Sequence, residues 1–238
     1  NQAIDHLNEL NISTTLVVTL QKGLNDGQIG ELLDYAIGQR CVRGVTFQPT
    51  QIAGRLENFD PASKRITLTE VRRKILEQFP IFESDDLIPV PCNPDSLVMG
   101  YALRHGDAIL PLTRYINPAD LLDSGRNTIV YEQDKELHSQ ALQLFSTGNS
   151  VETASEQLKT LMCCLPNIKA PNWGYQDLFR VIIMQFVDAY NFDVRSIKKS
   201  CVHIVNKDYR IIPFETMNLL YRDDKRECLE QIRKAPVR

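Results

Sequence analysis

Apolar positions in residues 1–55 switch between two periods. Ala3, Ile4, Leu7 and Leu10 recur at helical spacing, whereas residues 12–20 form the β-branched, apolar run expected of a strand buried on both faces. Gly23, Asn25, Asp26 and Gly27 mark a turn, with Asp26 placed to cap a helix whose stripe is Ile29, Leu32, Leu33, Ala36 and Ile37. Gly38 can end that helix, and a second strand over 42–48 stops at Pro49. This αβαβ order implies parallel strands joined by right-handed crossovers, because a tight turn cannot connect parallel neighbours.

The texture changes after Arg55. Thr67-Leu-Thr-Glu70 has the form of a capping box and opens a helix over 70–79 that packs Val71, Ile75 and Phe79 and ends at Pro80. Prolines make 86–94 an extended loop rather than sheet interior. Residues 97–103 and 108–112 read as strand-like or mixed, and 118–122, 132–145 and 151–165 as helices. Near-continuous apolar spacing through Leu178, Val181, Ile182, Met184, Gln185 and Val187 predicts a buried helix. Segments 200–206 and 210–214 pair as a hairpin around Lys207-Asp208-Tyr209, followed by a segment to Arg222 and a charged helix to Lys234. The chain is of the α/β class, divided into 1–82 and 83–238.

With 238 residues, 43% of them hydrophobic, the chain can bury a sizeable core. A net charge of −3 supplies no electrostatic basis for binding nucleic acid, and the cluster Arg72-Arg73-Lys74 reads as a solvated helix face. No apolar run reaches the ~18 residues of a membrane span. Six cysteines without a small, loop-rich frame indicate a reducing, cytoplasmic setting, so reduced thiols or metal ligands are expected rather than disulfides. The glycines of 23–30 lack the order and the Lys-Ser/Thr ending of a phosphate-cradling loop.

Three segments carry a family likeness: Lys199-Ser-Cys-Val-His-Ile-Val-Asn-Lys-Asp-Tyr-Arg-Ile-Ile-Pro-Phe214, Ile88-Pro-Val-Pro-Cys-Asn-Pro-Asp95 and Val45-Thr-Phe-Gln-Pro-Thr-Gln-Ile-Ala-Gly-Arg55. Together they resemble the C-terminal half of radical S-adenosylmethionine enzymes of the MoaA/NifB/PqqE kind, in the branch of the archaeal tetraether-lipid synthases and their bacterial relatives. The resemblance implies the C-terminal part of a partial (β/α) barrel followed by an α+β C-terminal domain that covers substrate. For the parent protein it implies S-adenosylmethionine, a four-iron four-sulfur cluster, an electron donor, and a small-molecule or lipid-chain substrate. No CxxxCxxC loop, which would hold that cluster, occurs in the sequence, so the chain reads as a catalytically silent fragment whose cut sheet edge invites homodimerisation. The alternative is a binding or regulatory module without radical chemistry.

Barrel enzymes carry their functional groups at the C-terminal ends of the strands. That rule selects Thr19, Gln21, Lys22 and Asn25 after the first strand and Gln48, Thr50 and Gln51 after the second. By resemblance, Thr19, Gln48 and Thr50 are the expected cofactor or substrate contacts; the competing reading is that Gln48 and Thr50 merely cap a turn at Pro49. The resemblance also makes Cys92 and Cys201 candidate metal ligands of an auxiliary iron-sulfur cluster. Ser96 and Glu215 stand where that pattern has its further cysteines, so the four-thiolate set is incomplete, and packed thiols are the alternative. His203, two residues after Cys201, is either a partner of that thiol or a histidine satisfied within its strand.

Overall fold

The computed structural model describes residues 2–52, 59–90, 93–105, 108–114, 177–200 and 202–222. Cys92, Cys163, Cys164, Cys201 and Cys228 lie outside these residues, as do the helices expected over 118–122, 132–145 and 151–165 and near the C-terminus.

Helix α1 (Gln2–Glu9), strand β1 (Thr14–Leu20), helix α2 (Ile29–Gly38) and strand β2 (Val42–Pro49) form the expected αβαβ run. Strands β1 and β2 are parallel, with Thr19 opposite Gln48. Asp26 does not cap α2, whose N-cap is Gln28 without a side-chain bond. The turn takes that carboxylate instead: Gly23, at φ 74°, donates its N–H to Asp26 at 2.8 Å, and Lys74 Nζ lies 3.0 Å away. Burial opposes ionisation of Asp26, but Lys74 and the Gly23 N–H more than offset it and hold the carboxyl below its ordinary range.

Helix α3 (Pro61–Lys64) precedes α4 (Leu68–Gln78), and the capping box at the start of α4 is complete. Glu70 N–H donates to Thr67 Oγ1 at 3.3 Å, and Thr67 N–H to Glu70 Oε2 at 2.9 Å. Thr67→Ala should therefore destabilise the protein by about 1 kcal/mol in urea unfolding, with little change in the denaturant slope. The basic cluster on α4 is only partly a solvated face. Arg73 pairs with Glu77 at the surface, but Arg72 donates to the carbonyls of Ser84 and Leu87, and Lys74 reaches Asp26.

Strands β3 (Ile88–Pro89), β4 (Leu97–His105) and β5 (Ala108–Pro111) follow. The segment expected to be a buried helix is strand β6 (Leu178–Met184), parallel to β2 on one side and antiparallel to β4 on the other. A sheet-interior strand covered on both faces is apolar at every position, and that run has no period to separate it from a buried helix. The β-branched Val181, Ile182 and Ile183 favour the extended form once two strands flank it. The sheet order is β1-β2-β6-β4-β3, with β5 also on β4, so strands from both sides of residue 82 share one mixed sheet. The fold is α/β, with parallel strands at one side and antiparallel strands at the other, compatible with a partial barrel that continues into an α+β region.

One sheet face packs Val45, Phe47, Val98, Phe179, Val181 and Ile183 against α1, α2 and α4, whose contributions include Ile4, Leu33 and Ile75. At about 25 cal/mol per Å² of apolar surface removed from water, this shared face is the main source of stability. Strand β1 departs from the expectation of two buried faces. Leu16 and Val18 pack inward, while Thr15, Val17 and Thr19 are exposed. Among the described residues β1 pairs only with β2, which makes it an edge.

Helix α5 (Val194–Ile197), the hairpin β7 (His203–Val205) and β8 (Ile211–Pro213), and helix α6 (Phe214–Leu220) complete the described chain. The hairpin forms as expected: Asn206 and Arg210 close it, and Tyr209 takes φ 63° in the turn.

Candidate functional site

Strands β1, β2 and β6 run in one direction, so their C-terminal ends share one edge of the sheet. Antiparallel β4 begins at the same edge, with Leu97 opposite Met184. Backbone donors and acceptors at strand ends have no ladder partner, and in parallel sheets this is the edge where ligands bind.

The residues selected by strand position are brought together there, but they differ in what they can do. Thr19 is exposed and Gln48 half-buried, they are register partners, and among the described residues neither side chain makes a hydrogen bond. Thr50 is engaged: its N–H and its Oγ1 both donate to Leu20 O at 2.9 Å, tying the two strand ends together. Thr50 thus ties the strand ends together, whereas the Gln48 side-chain amide makes no hydrogen bond among the described residues. Asn25 accepts from Gln21 N–H and donates to Thr19 O, so it builds the loop after β1. Lys22 pairs with Glu70 at 3.0 Å. Gln51 donates to Val187 O at 2.9 Å and accepts from Asn218 at 3.4 Å.

Asp188, just beyond β6, is 2% exposed and accepts from Tyr190 N–H at 2.9 Å and Ile52 N–H at 3.4 Å, with Arg65 Nη2 at 3.6 Å. It joins the segments that follow β2 and β6. Acid spacing in the sequence assigns Asp188 no role, because its partners at residues 52 and 65 are far away along the chain.

Beside this edge lies a small, half-open cleft between the start of β4, the end of β6 and the start of α6. Ser96 and Glu215, the two positions that depart from the cysteine pattern, both line it. Ser96 Oγ is 3.1 Å from Ser196 Oγ, and Ser200 Oγ donates to Glu215 Oε2 at 2.7 Å. Asn93 Nδ2 donates to Lys199 O at 3.4 Å, which holds the segment after Cys92 against the segment before Cys201. The sequence signals Ser96 and Glu215 only as missing thiolates; their convergence, and the part played by Asn93, Ser196 and Ser200, need the fold.

A four-thiolate cluster does not fit this donor set. Soft iron-sulfur sites require sulfur ligands, and here the corresponding positions present a hydroxyl and a carboxyl group, each already hydrogen-bonded to a serine. Among the described residues, no three His, Cys, Asp or Glu side chains gather as metal ligands, and His203 is exposed on β7. Cys41, the described cysteine, is a buried free thiol.

The site is thus a polar strand edge on an α/β sheet with a small, partly apolar cleft at its flank. No family model matches the chain. It is 27% identical over 251 aligned positions to 7,8-dihydro-6-hydroxymethylpterin dimethyltransferase of Methanocaldococcus jannaschii, an alignment that takes in 90% of this chain and 50% of that enzyme. The chain therefore spans about half the length of this curated relative. The likeness supports a relationship to the radical S-adenosylmethionine superfamily. No helix among the described residues is long and apolar enough to cross a membrane.

Proposed function

We propose that this chain is the C-terminal portion of a radical S-adenosylmethionine enzyme acting on a small pterin-like heterocycle. The observation that carries the reading is the match to a pterin dimethyltransferase over nine-tenths of the chain, reinforced by three parallel strands that end at one polar edge. In this reading β1, β2 and β6 are late strands of a partial (β/α) barrel. The open edge of β1 is where preceding strands of the parent pair.

Bound S-adenosylmethionine, reduced by an iron-sulfur cluster, supplies a radical able to take hydrogen from an unactivated carbon. The cluster's thiolates are not among these residues, since the sequence has no CxxxCxxC. What the chain contributes is binding, orientation and exclusion of water. Gln48 and Thr19 offer unpaired amide and hydroxyl groups at the strand ends, while Thr50, Gln51 and Asp188 hold those ends in place. Cys92 and Cys201 are read as reduced thiols.

The test is made on the complete product of the reading frame that contains this sequence. After anaerobic reconstitution with iron and sulfide, it is expected to form 5′-deoxyadenosine from S-adenosylmethionine on reduction, with Gln48→Ala raising the S-adenosylmethionine KM about tenfold, as loss of one uniform binding contact does. A full-length product without a CxxxCxxC loop and without 5′-deoxyadenosine would sink the enzyme reading in favour of a binding module. The chain of residues 1–238 alone should bind no iron.

A further inference from the structure

Asn93, in the turn that leads into β4, is 4% exposed. Its Nδ2 donates to Lys199 O at 3.4 Å, while its Oδ1 is buried without a hydrogen-bond partner among the described residues. Turning the amide over would not relieve this, because Oδ1 would then face the Lys199 carbonyl, acceptor against acceptor. A buried acceptor left unmet is costly, so Oδ1 calls for a donor that the described side chains do not provide.

The cleft that Asn93 lines supplies the rest of the setting. Gln185, at the end of β6, accepts on Oε1 from Leu68 N–H at 2.5 Å, and among the described residues its Nε2 has no acceptor. Glu215, near the start of α6, is 5% exposed and accepts on Oε2 from Ser200 Oγ at 2.7 Å, which leaves Oε1 for a second donor. Leu97, Met184, Phe186 and Val202 make the other walls apolar. The enclosed part of the cleft has room for about one water molecule, and a buried water typically makes about three hydrogen bonds. One donor and two acceptors on the polar walls match a molecule that both accepts and donates. A cation would be repelled by the Gln185 amide hydrogens, and an organic ligand would not fit.

We infer that the cleft is the site of one structural water, which accepts from Gln185 Nε2 and donates to Asn93 Oδ1 and Glu215 Oε1. Its bonds join the turn before β4, the end of β6 and the start of α6. Glu215 and Asn218 lie three residues apart on α6, hence on one side of it, and both are buried. Asn218 Nδ2 donates to Gln51 Oε1 at 3.4 Å, and Gln51 Nε2 donates to Val187 O at 2.9 Å. By fixing Glu215, the water sets where α6 lies against the segments that follow β2 and β6. Asn93 and Glu215 are thereby positioning residues for that edge. The bridge needs neither cofactor nor substrate and is independent of the proposed function.

The first measurement is a crystal structure of the full-length protein at a resolution that shows ordered water. One water is expected within about 2.7–3.2 Å of Asn93 Oδ1, Gln185 Nε2 and Glu215 Oε1. The second is amide hydrogen exchange over residues 214–220, read by mass spectrometry in the full-length protein. Asn93→Leu and Glu215→Gln are each expected to speed exchange there about tenfold, and the double variant no more than the faster single variant, because both remove the same bridge. Direct contact of Asn93 Oδ1 with a protein donor, or a water that fails to join Asn93 to Glu215, overturns the inference. So do exchange effects that multiply in the double variant. An anomalous peak at this position after soaking with Rb⁺ or Tl⁺ also overturns it, since it would make the cleft a cation site. The crystal structure of the unaltered protein needs neither variant to fold, so the water is tested whatever their fate.

Discussion

Replacing Arg104 with methionine is expected to lower the unfolding free energy by about 3 kcal/mol, the usual consequence of removing several charge-assisted hydrogen bonds from a half-buried site. Arg104 lies on β4, yet its guanidinium serves the end of α2 and the start of β2. Nη1 donates to Gln39 O at 3.2 Å, and Nη2 donates to Ala36 O at 3.3 Å and Val42 O at 2.6 Å. Carbonyls at a helix C-terminus have no intrahelical donor, and cations there also oppose the helix dipole favourably. The group stacks over Phe179 at 4.9 Å. Burial, followed by the charge of Arg43, lowers the Arg104 pKa to about 10, which still leaves it charged at neutral pH. Methionine keeps most of the stem's packing but donates nothing and carries no charge, so the loss reports the hydrogen bonds together with the contact to Phe179. Urea unfolding of wild type, Arg104→Met and Arg104→Lys measures it; Arg104→Lys should recover only part, because one ammonium cannot reach three carbonyls in a fork. A change below 1 kcal/mol in Arg104→Met would refute this account of the α2 terminus.

Gly44→Ala should have an effect of similar size for a different reason. The register between β1 and β2 shifts at Thr14 and Thr15, which leaves Arg43 as an extra residue in β2 and sets Gly44 against β6. A Cβ on Gly44 would stand 2.4 Å from Arg180 O and 3.2 Å from its carbonyl carbon. Both are backbone atoms of a strand fixed on two sides, so neither can yield as a side chain would. Overpacking of this kind costs about 1–3 kcal/mol, and a sheet-interior position belongs at the top of that range. On the proposed function, in which Gln48 of β2 contacts the cofactor, Gly44→Ala should also weaken S-adenosylmethionine binding in the full-length protein by displacing the strand end. Thermal unfolding checks the first effect and the KM the second. A Gly44→Ala protein with unchanged Tm would mean that β2 and β6 can separate locally.

The hairpin, the αβαβ run and the capping box were legible in the sequence because each depends on neighbours within a few residues. Lys207-Asp208-Tyr209 punctuates two short apolar runs, and Thr67 with Glu70 satisfies the helix start from within one turn. Strand β6 was misread as a helix for the opposite reason. Its extended form is imposed by β2 and β4, which are 75 or more residues away in the chain at every pair. The same distance hid Asp188, whose donors come from Ile52, Tyr190 and Arg65. Asp26 illustrates a local signal with two outlets: a helix start and a turn donor both suit a carboxylate, and Lys74, on a different helix, selected the second.

The candidate site divides along the same line. Strand ends can be counted from hydrophobic runs, so Thr19, Gln48 and Thr50 could be placed at one edge from the sequence alone. Their division of labour could not. Thr50 holds the Leu20 carbonyl while Gln48 remains open, because the hydrogen bonds of each depend on where β1 and β2 finish in space. By itself the sequence determined the class of fold, the parallel start, the hairpin and the absence of a cluster loop, all set by periodicity and by residue identity at short range. The tertiary structure alone decided that Ser96, Glu215 and Asn93 line one cleft, because residues far apart in the chain are brought together only when the sheet closes and buries them.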